Sequence, residues 1–366
     1  MRMNQFYVAV RATALGAALV FCGSVMADAD HDGDSGPSPL GHAPISVMGE
    51  HLHKKGEWMV SYRYMHMDMA GNRSGTDSIS PDEIATTVPN RFFGRPGQPP
   101  TLRVVPTDMT MDMHMFGLMY APSDQVTLMF MGNYIEKEMD HITFAGGMGT
   151  NRLGTFTTKS SGFGDTSASA LIRLWTEGRH VVHATAGVSA PTGSNTERDR
   201  ILTPMGMTPS PRLPYPMQLG SGSWSSIIGL THNWYGDRWS YGSQWRSLIR
   251  LHENDEDYTL GDEHRLTTWA AYRLAPRVSA SLRLEGLRRG NIDGIDPNIV
   301  APVQTADPNN QGIKRLDVGL GLNFAASGSL AGHRLAVEWL TPVYQDLDGP
   351  QLETDWILTL GWQYAF

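Results

Sequence analysis

Trp356-Ile-Leu-Thr-Leu-Gly-Trp-Gln-Tyr-Ala-Phe366 decides how the chain is read. Its even positions are Trp356, Leu358, Leu360, Trp362, Tyr364 and Phe366; its odd positions are smaller or more polar. A strand turns alternate side chains to opposite faces, so one face here is continuously apolar and ends in aromatics. An apolar band closed by an aromatic girdle is the lipid-facing side of a membrane barrel strand.

The same period of two recurs upstream. Leu316, Val318, Leu320, Leu322 and Phe324 oppose Arg315, Asp317, Gly319, Gly321 and Asn323. Val278, Ala280, Leu282 and Leu284 oppose Ser279, Ser281, Arg283 and Glu285. The alternation predicts strands near 57–69, 108–120, 124–138, 164–175, 180–190, 223–235, 239–252, 264–274, 277–289, 314–325, 333–345 and 354–366. Connections at 121–123, 177–179, 237–238, 275–276 and 326–332 are short. Those at 71–107, 191–222 and 291–313 are long and rich in Pro, Gly and polar residues. The expected fold is all-β: a transmembrane antiparallel β-barrel of about 12 strands with short periplasmic turns and long outer loops. A Phe closing an aromatic-alternating strand resembles the signal by which outer-membrane assembly machinery recognises its clients. That machinery and outer-membrane lipid are the expected partners.

Arg2 and Arg11 precede an apolar run from Ala12 to Cys22, followed by Gly23-Ser-Val-Met-Ala27. This is the pattern of a secretory signal peptide, residues 1–27, cleaved after Ala27. Its loss removes Cys22, the single Cys, and two positive charges, moving the formal net charge from −8 to −10. An exported, acidic, thiol-free chain carries no disulfide framework and no net charge that would attract nucleic acid. Residues 28–56 form a periplasmic leader ahead of a barrel spanning 57–366. His31, His42, His51 and His53 lie in that leader, as in a metal-collecting tail or a disordered segment. The expected location is the outer membrane of a Gram-negative bacterium.

If the apolar faces meet lipid, the opposite faces supply Arg173, Arg246, Arg250, Arg265, Arg273, Arg283, Glu285, Arg315, Asp317, Arg334 and Glu338 to the lumen. They either guide charged solutes or brace the interior as ion pairs. The methionines cluster as well: of 20, 12 lie between Met59 and Met139. Met65, Met67 and Met69 share parity with Arg63 and so face inward. Met129 and Met131 share parity with Thr127 and Asn133, again inward. Met109, Met111, Met113 and Met115 alternate too, with neither face of their strand decisively polar. Thioethers suit Cu(I), while His66, Asp68, Asp112 and His114 add harder donors. Adaptable packing is the alternative role for a row of Met. Cu(I) is the one candidate cofactor, and a periplasmic metal carrier is the partner it would call for. The sequence holds no G-x-S-x-G, Walker loop, H-E-x-x-H or Cys nucleophile, so no enzymatic activity is expected.

Six stretches resemble a known family. They are HAPISVMGEHLHKKGEWM from His42 to Met59, Gly162-Phe-Gly-Asp165, Gly187-Val-Ser-Ala-Pro-Thr-Gly193, Gly220-Ser-Gly-Ser-Trp224, Tyr241-Gly-Ser-Gln-Trp-Arg246 and Asp346-Leu-Asp-Gly-Pro-Gln-Leu352. In this order they resemble the MetA-pathway of phenol degradation family of outer-membrane proteins, in a Met-rich branch. The resemblance implies a transporter-type barrel and passage of small aromatic compounds, and it assigns no functional residue. Three functional readings follow: a channel handling copper or another soft metal through a Met/His-lined lumen, a passive diffusion channel for small organic (aromatic) solutes, and a plugged metal-binding or structural barrel.

Overall fold

The computed structural model describes residues 38–366. The expected signal peptide and the leader as far as residue 37, His31 included, lie outside the described residues.

The strands are β1 (Trp58–Gly75), β2 (Asp77–Ser78), β3 (Val104–Ser123), β4 (Val126–Phe144) and β5 (Arg152–Phe163). Next come β6 (Thr166–Glu177), β7 (His180–Ala190), β8 (Ser225–Tyr235), β9 (Trp239–Arg250) and β10 (Tyr258–Thr259). The last are β11 (Glu263–Ala275), β12 (Val278–Arg289), β13 (Asp293–Gly294), β14 (Ile313–Ala325) and β15 (His333–Ala365). Antiparallel pairing runs β1-β3-β4-β6-β7-β8-β9-β11-β12-β14-β15, and β15 returns to β1. Eleven strand elements thus close an all-β barrel. Closure leaves no unpaired edge, the condition for a sheet to cross lipid. No described helix is long and apolar enough to cross a membrane.

The 33 residues of β15 supply two of the expected strands. Arg334–Leu347 pairs with β14, whereas Leu347–Ala365 pairs with β1. The halves touch: Trp339 stacks on Trp356 at 4.5 Å, and Arg334 Nη1 donates to Gln363 Oε1 at 2.5 Å. Gly349, at φ +69°, makes the reversal; a Cβ there would fall 2.0 Å from Asn310 Oδ1. Trp58 and Phe366 exchange backbone hydrogen bonds of 2.8 and 2.9 Å, which seals the seam at one end of the barrel.

The even positions of 356–366 face out as expected, and the inward odd ones include buried Ile357, Thr359 and Gln363. Around the wall the outward positions are exposed aliphatic and aromatic residues, among them Leu118, Phe130, Leu230, Leu282, Leu320, Leu335 and Trp362. The buried positions between them are largely polar or charged: Thr185, Gln244, Thr267, Arg283, Asp317 and Glu338. A water-soluble protein has the reverse polarity, so this wall is built to stand in lipid.

Two differences from the sequence expectation concern the wall. β5 was not anticipated. It pairs with the upper part of β4 while β6 pairs with the lower part, so β5 and β6 form one wall strand interrupted at Gly164-Asp165. Its Thr- and Ser-rich sequence, RLGTFTTKSSGF, lacks an apolar face to betray it. β1, β3 and β4 also run farther toward the long loops than their apolar alternation does.

The structure also places the described part of the leader. Residues 38–53 run inside the barrel, tied to inward side chains of the wall. Ser279 Oγ donates to Pro39 O at 2.8 Å, Arg334 Nη2 to Ala43 O at 2.6 Å and Arg63 Nε to Ile45 O at 2.9 Å. Gln244 Nε2 reaches Met48 O at 3.0 Å, and Asn233 Nδ2 reaches Glu50 O at 2.6 Å. A segment without regular structure must place its backbone groups somewhere, and here the polar lumen satisfies them. The sequence leaves open whether the leader enters the barrel, because its polar, Gly- and Pro-containing composition is also that of an unpacked linker.

Candidate functional site: a lumen with two unlike walls

The register of β1 with β3 aligns Met65 with Met113, Met67 with Met111, Met69 with Met109 and Met59 with Met119. Strand β4 continues this with Met139 beside Met109 and Met129 beside Met119. Facing pairs in a sheet share a face, so all these methionines point inward. The orientation of Met109, Met111, Met113 and Met115, which the sequence left open, is therefore settled. At the end nearest Trp58, buried Met59, Met115, Met119, Met129 and Met131 pack with Leu171 against Met48 and Leu52 of the inner segment. Toward the long loops, Met109 and Met139 pack with Met69, Leu213 and Met217. Met65 and Met113 pack against the first cluster but stay only partly covered, as do Met67 and Met111 between the two.

The harder donors do not join them. His66, Asp68, Asp112 and His114 occupy the alternate positions and face out of the barrel. There, Asp112 Oδ1 accepts from Tyr64 Oη at 2.5 Å and lies 2.8 Å from His66 Nδ1. Tyr62 Oη is 2.8 Å from His114 Nδ1. The thirteen residues grouped as a metal set from their sequence are thus divided between two faces of one sheet.

The opposite wall, β11 through β15, is ionic. Arg265 bridges Glu263 at 2.7 Å and Glu285 at 2.6 Å; Arg283 bridges Glu285 at 2.5 Å and Glu338 at 2.6 Å. Glu338 Oε2 then accepts from Ser46 N of the inner segment at 3.1 Å. Arg315 pairs with Asp317 at 2.9 Å. Of the two roles expected for these charges, bracing is the one the geometry displays. Arg173 and Arg273 lie near the short turns, where Arg173 Nε donates to Asp124 O and Arg273 Nη2 to Ser38 Oγ. Arg246 and Arg250 make no ion pair among the described residues, and Arg250 donates to Ser225 Oγ at 3.0 Å.

One feature has no signal in the sequence, and one, among the leader histidines that suggest a metal-collecting tail, is signalled only in part. The long loops form an apolar cap of Phe92, Tyr215, Tyr258, Ile292, Ile299 and Val303. In the inner segment, His42, Glu50 and His51 converge. The spacing His42, Glu50, His51, His53 was a signal, but Glu50 gains meaning only once the segment turns back at Gly49, φ +65°.

Three of the stretches that carried the family resemblance meet at the break between β5 and β6. Asp165 accepts from Gly193 N at 3.0 Å, Ser221 N at 3.0 Å and Ser221 Oγ at 2.6 Å. Gly193 and Gly220 cross so closely that a Cβ on Gly220 would lie 2.2 Å from Gly193 O.

A closed sheet with an apolar exterior and a partly filled polar and thioether interior is a transmembrane β-barrel, the fold that stands in the outer membrane of a Gram-negative bacterium. The chain belongs to the family described as "Putative MetA-pathway of phenol degradation", which it matches over residues 93–339. No curated protein matches it. It is similar to an outer membrane channel from Pseudomonas putida F1, with 14% identity and a TM-score of 0.56 over 87% of this chain and 99% of that one. A FadL homologue from Pseudomonas aeruginosa gives 10% identity and a TM-score of 0.43 over 84% and 90% of the two chains. The toluene transporter TodX of P. putida gives 8% identity and 0.39 over 86% and 90%.

Proposed function

We propose that the protein is a passive diffusion channel for small organic solutes, aromatic ones first. The observation that carries this reading is the partly covered row of Met65, Met67, Met111 and Met113 on the inner wall, between the loop-side and turn-side clusters. Thioethers are flexible and polarisable, and their contacts with aromatic rings are worth about 0.3–1.5 kcal/mol each. Several weak contacts in series let a solute both enter and leave. Arg265, Arg283 and Arg315 are each paired with a carboxylate of their own wall, which leaves these charges little to offer a hydrated ion. The family's description, which ties its members to phenol degradation, supports the same substrate class. A soft-metal channel has less support: the buried thioethers pack among Leu171, Leu213 and one another, and the His and Asp donors face outward.

The test is uptake of a small aromatic by cells with an intact lipopolysaccharide leaflet, with and without the protein. Replacing Met65, Met67, Met111 and Met113 together by Ser should lower uptake several-fold, whereas the Leu version should retain it. Equal uptake with and without the protein would sink the proposal.

A further inference from the structure

The inner segment holds a cluster that the solute pathway does not use. His42 Nδ1 lies 3.3 Å from Glu50 Oε1, and His51 Nδ1 lies 2.9 Å from the same oxygen. The three residues each bring a ligand atom within 4.8 Å of the other two, and the two rings stand edge to face at 4.5 Å. His51 Nδ1 is buried and has no hydrogen-bond partner, because its approach to Glu50 lacks hydrogen-bond geometry. Its other nitrogen, Nε2, is 3.2 Å from His53 Nε2, and His53 Nδ1 is 3.3 Å from Glu57 Oε2. If each ring donates toward the carboxylate end, His51 Nε2–H donates to His53 and His53 Nδ1–H donates to Glu57. That chain leaves the lone pair on His51 Nδ1, aimed at Glu50 and His42. A metal-ligating imidazole is typically held by such a hydrogen bond from its other nitrogen.

We propose that His42, Glu50 and His51 form a binding site for a divalent transition ion of the Zn2+ or Cu2+ class, with His53 as the positioning residue behind His51. Two imidazoles and one carboxylate form a familiar three-ligand set that leaves a fourth position open. Ligand atoms about 2.1 Å from a tetrahedral ion stand roughly 3.4 Å apart, close to the spacing found. The wall preorganises the ligands: His183 Nε2 lies 2.9 Å from Gly49 O, and Asn233 holds Glu50 O. The nearest cation, Arg334, lies 3.9 Å from Glu50 Oε1 and is engaged by Ala43 O, Asn323 and Gln363. An ion here cross-links residues 42 and 50–51 and so stiffens the segment that fills the lumen. The site is independent of which solute the barrel passes.

The experiment is Zn2+ titration by calorimetry of the chelator-stripped, refolded protein in detergent, with heat-modifiable gel mobility confirming that each variant is folded. One Zn2+ per chain is expected. Glu50→Gln and His51→Ala should each weaken binding about a hundredfold or more, and His53→Gln, behind the site, by about ten- to a hundredfold. X-ray absorption of the loaded wild-type protein should show imidazole nitrogen and carboxylate oxygen. Absence of binding to the wild-type protein overturns the proposal without any variant. So does sulfur in the metal's ligand shell, or loss of binding in His66→Ala/His114→Ala instead.

Discussion

The β1-β3-β4 wall and the β11-β12-β14-β15 wall enclose the same lumen and solve its filling in opposite ways. One uses uncharged thioethers, which adjust to whatever lies against them at little cost. The other uses a chain of carboxylates and guanidiniums that runs from half-buried Glu263 and Arg265 to buried Arg283, Glu285 and Glu338, each charge leaning on its neighbour. The first wall tolerates exchange of its members for other apolar residues; the second does not tolerate the loss of one. The inner segment touches both, with Met48 and Leu52 on the methionines and Ser46 N on Glu338.

The largest effect should come from cutting the ionic chain. Arg283→Leu strands Glu338 and leaves Glu285 with Arg265 alone, and removing one partner of a buried pair costs about 3–5 kcal/mol. Denaturant unfolding of the refolded barrel measures this; a loss no greater than that of a surface pair would show that water reaches the chain and that it is not the brace described. Met139→Ala tests the other wall. Met139 is 1% exposed, and truncating a buried Met to Ala costs about 2–5 kcal/mol. Met139→Leu keeps the volume and should cost less than about 1.5 kcal/mol. If Leu proves as damaging as Ala, the thioether does more than fill space.

Particular residues show where the sequence was legible. Leu316 to Phe324 and Trp356 to Phe366 reveal the wall because lipid on one side and lumen on the other impose strict alternation. The inward direction of Met65 could be read because Arg63 shares its face. Met113 cannot be read, because the face opposite it in its strand mixes Asp108, Asp112 and His114 with Phe116, Leu118 and Tyr120. β5 stayed hidden because polar surroundings on both faces leave no period. The inner segment was illegible for another reason: its partners, such as Arg334 and Gln244, lie nearly 200 residues or more away in sequence, and nothing local in Pro39–Met48 encodes them.

A smaller effect separates the partly covered methionines from the buried ones. Met113→Leu should change stability by less than about 1.5 kcal/mol and leave aromatic uptake near wild type, since volume and apolarity are kept. A several-fold loss of uptake in Met113→Leu, with unfolding unchanged, would mean that sulfur itself contacts the solute. That outcome would sharpen the contrast between the walls rather than blur it.

The smallest effect is expected outside the barrel, on the reverse of the methionine wall. His66 and Asp112 pair at 2.8 Å with side chains 23% and 30% exposed. His66 lies 5.0 Å from the Trp356 ring, at the aromatic girdle where water reaches the wall, and pairs exposed to water contribute about 0–1 kcal/mol. His66→Gln keeps a polar group of similar reach beside Asp112, and Tyr64 Oη still donates to the carboxylate. Unfolding should therefore shift by no more than that amount, and both aromatic uptake and Zn2+ binding should be unchanged. A cost as large as that of Met139→Ala would instead make Tyr64, His66 and Asp112 a structural unit of the lipid-facing surface. The same sheet would then carry one demanding face and one adaptable face, with the demand on the side where the alternation of β1 and β3 gave no reason to expect it.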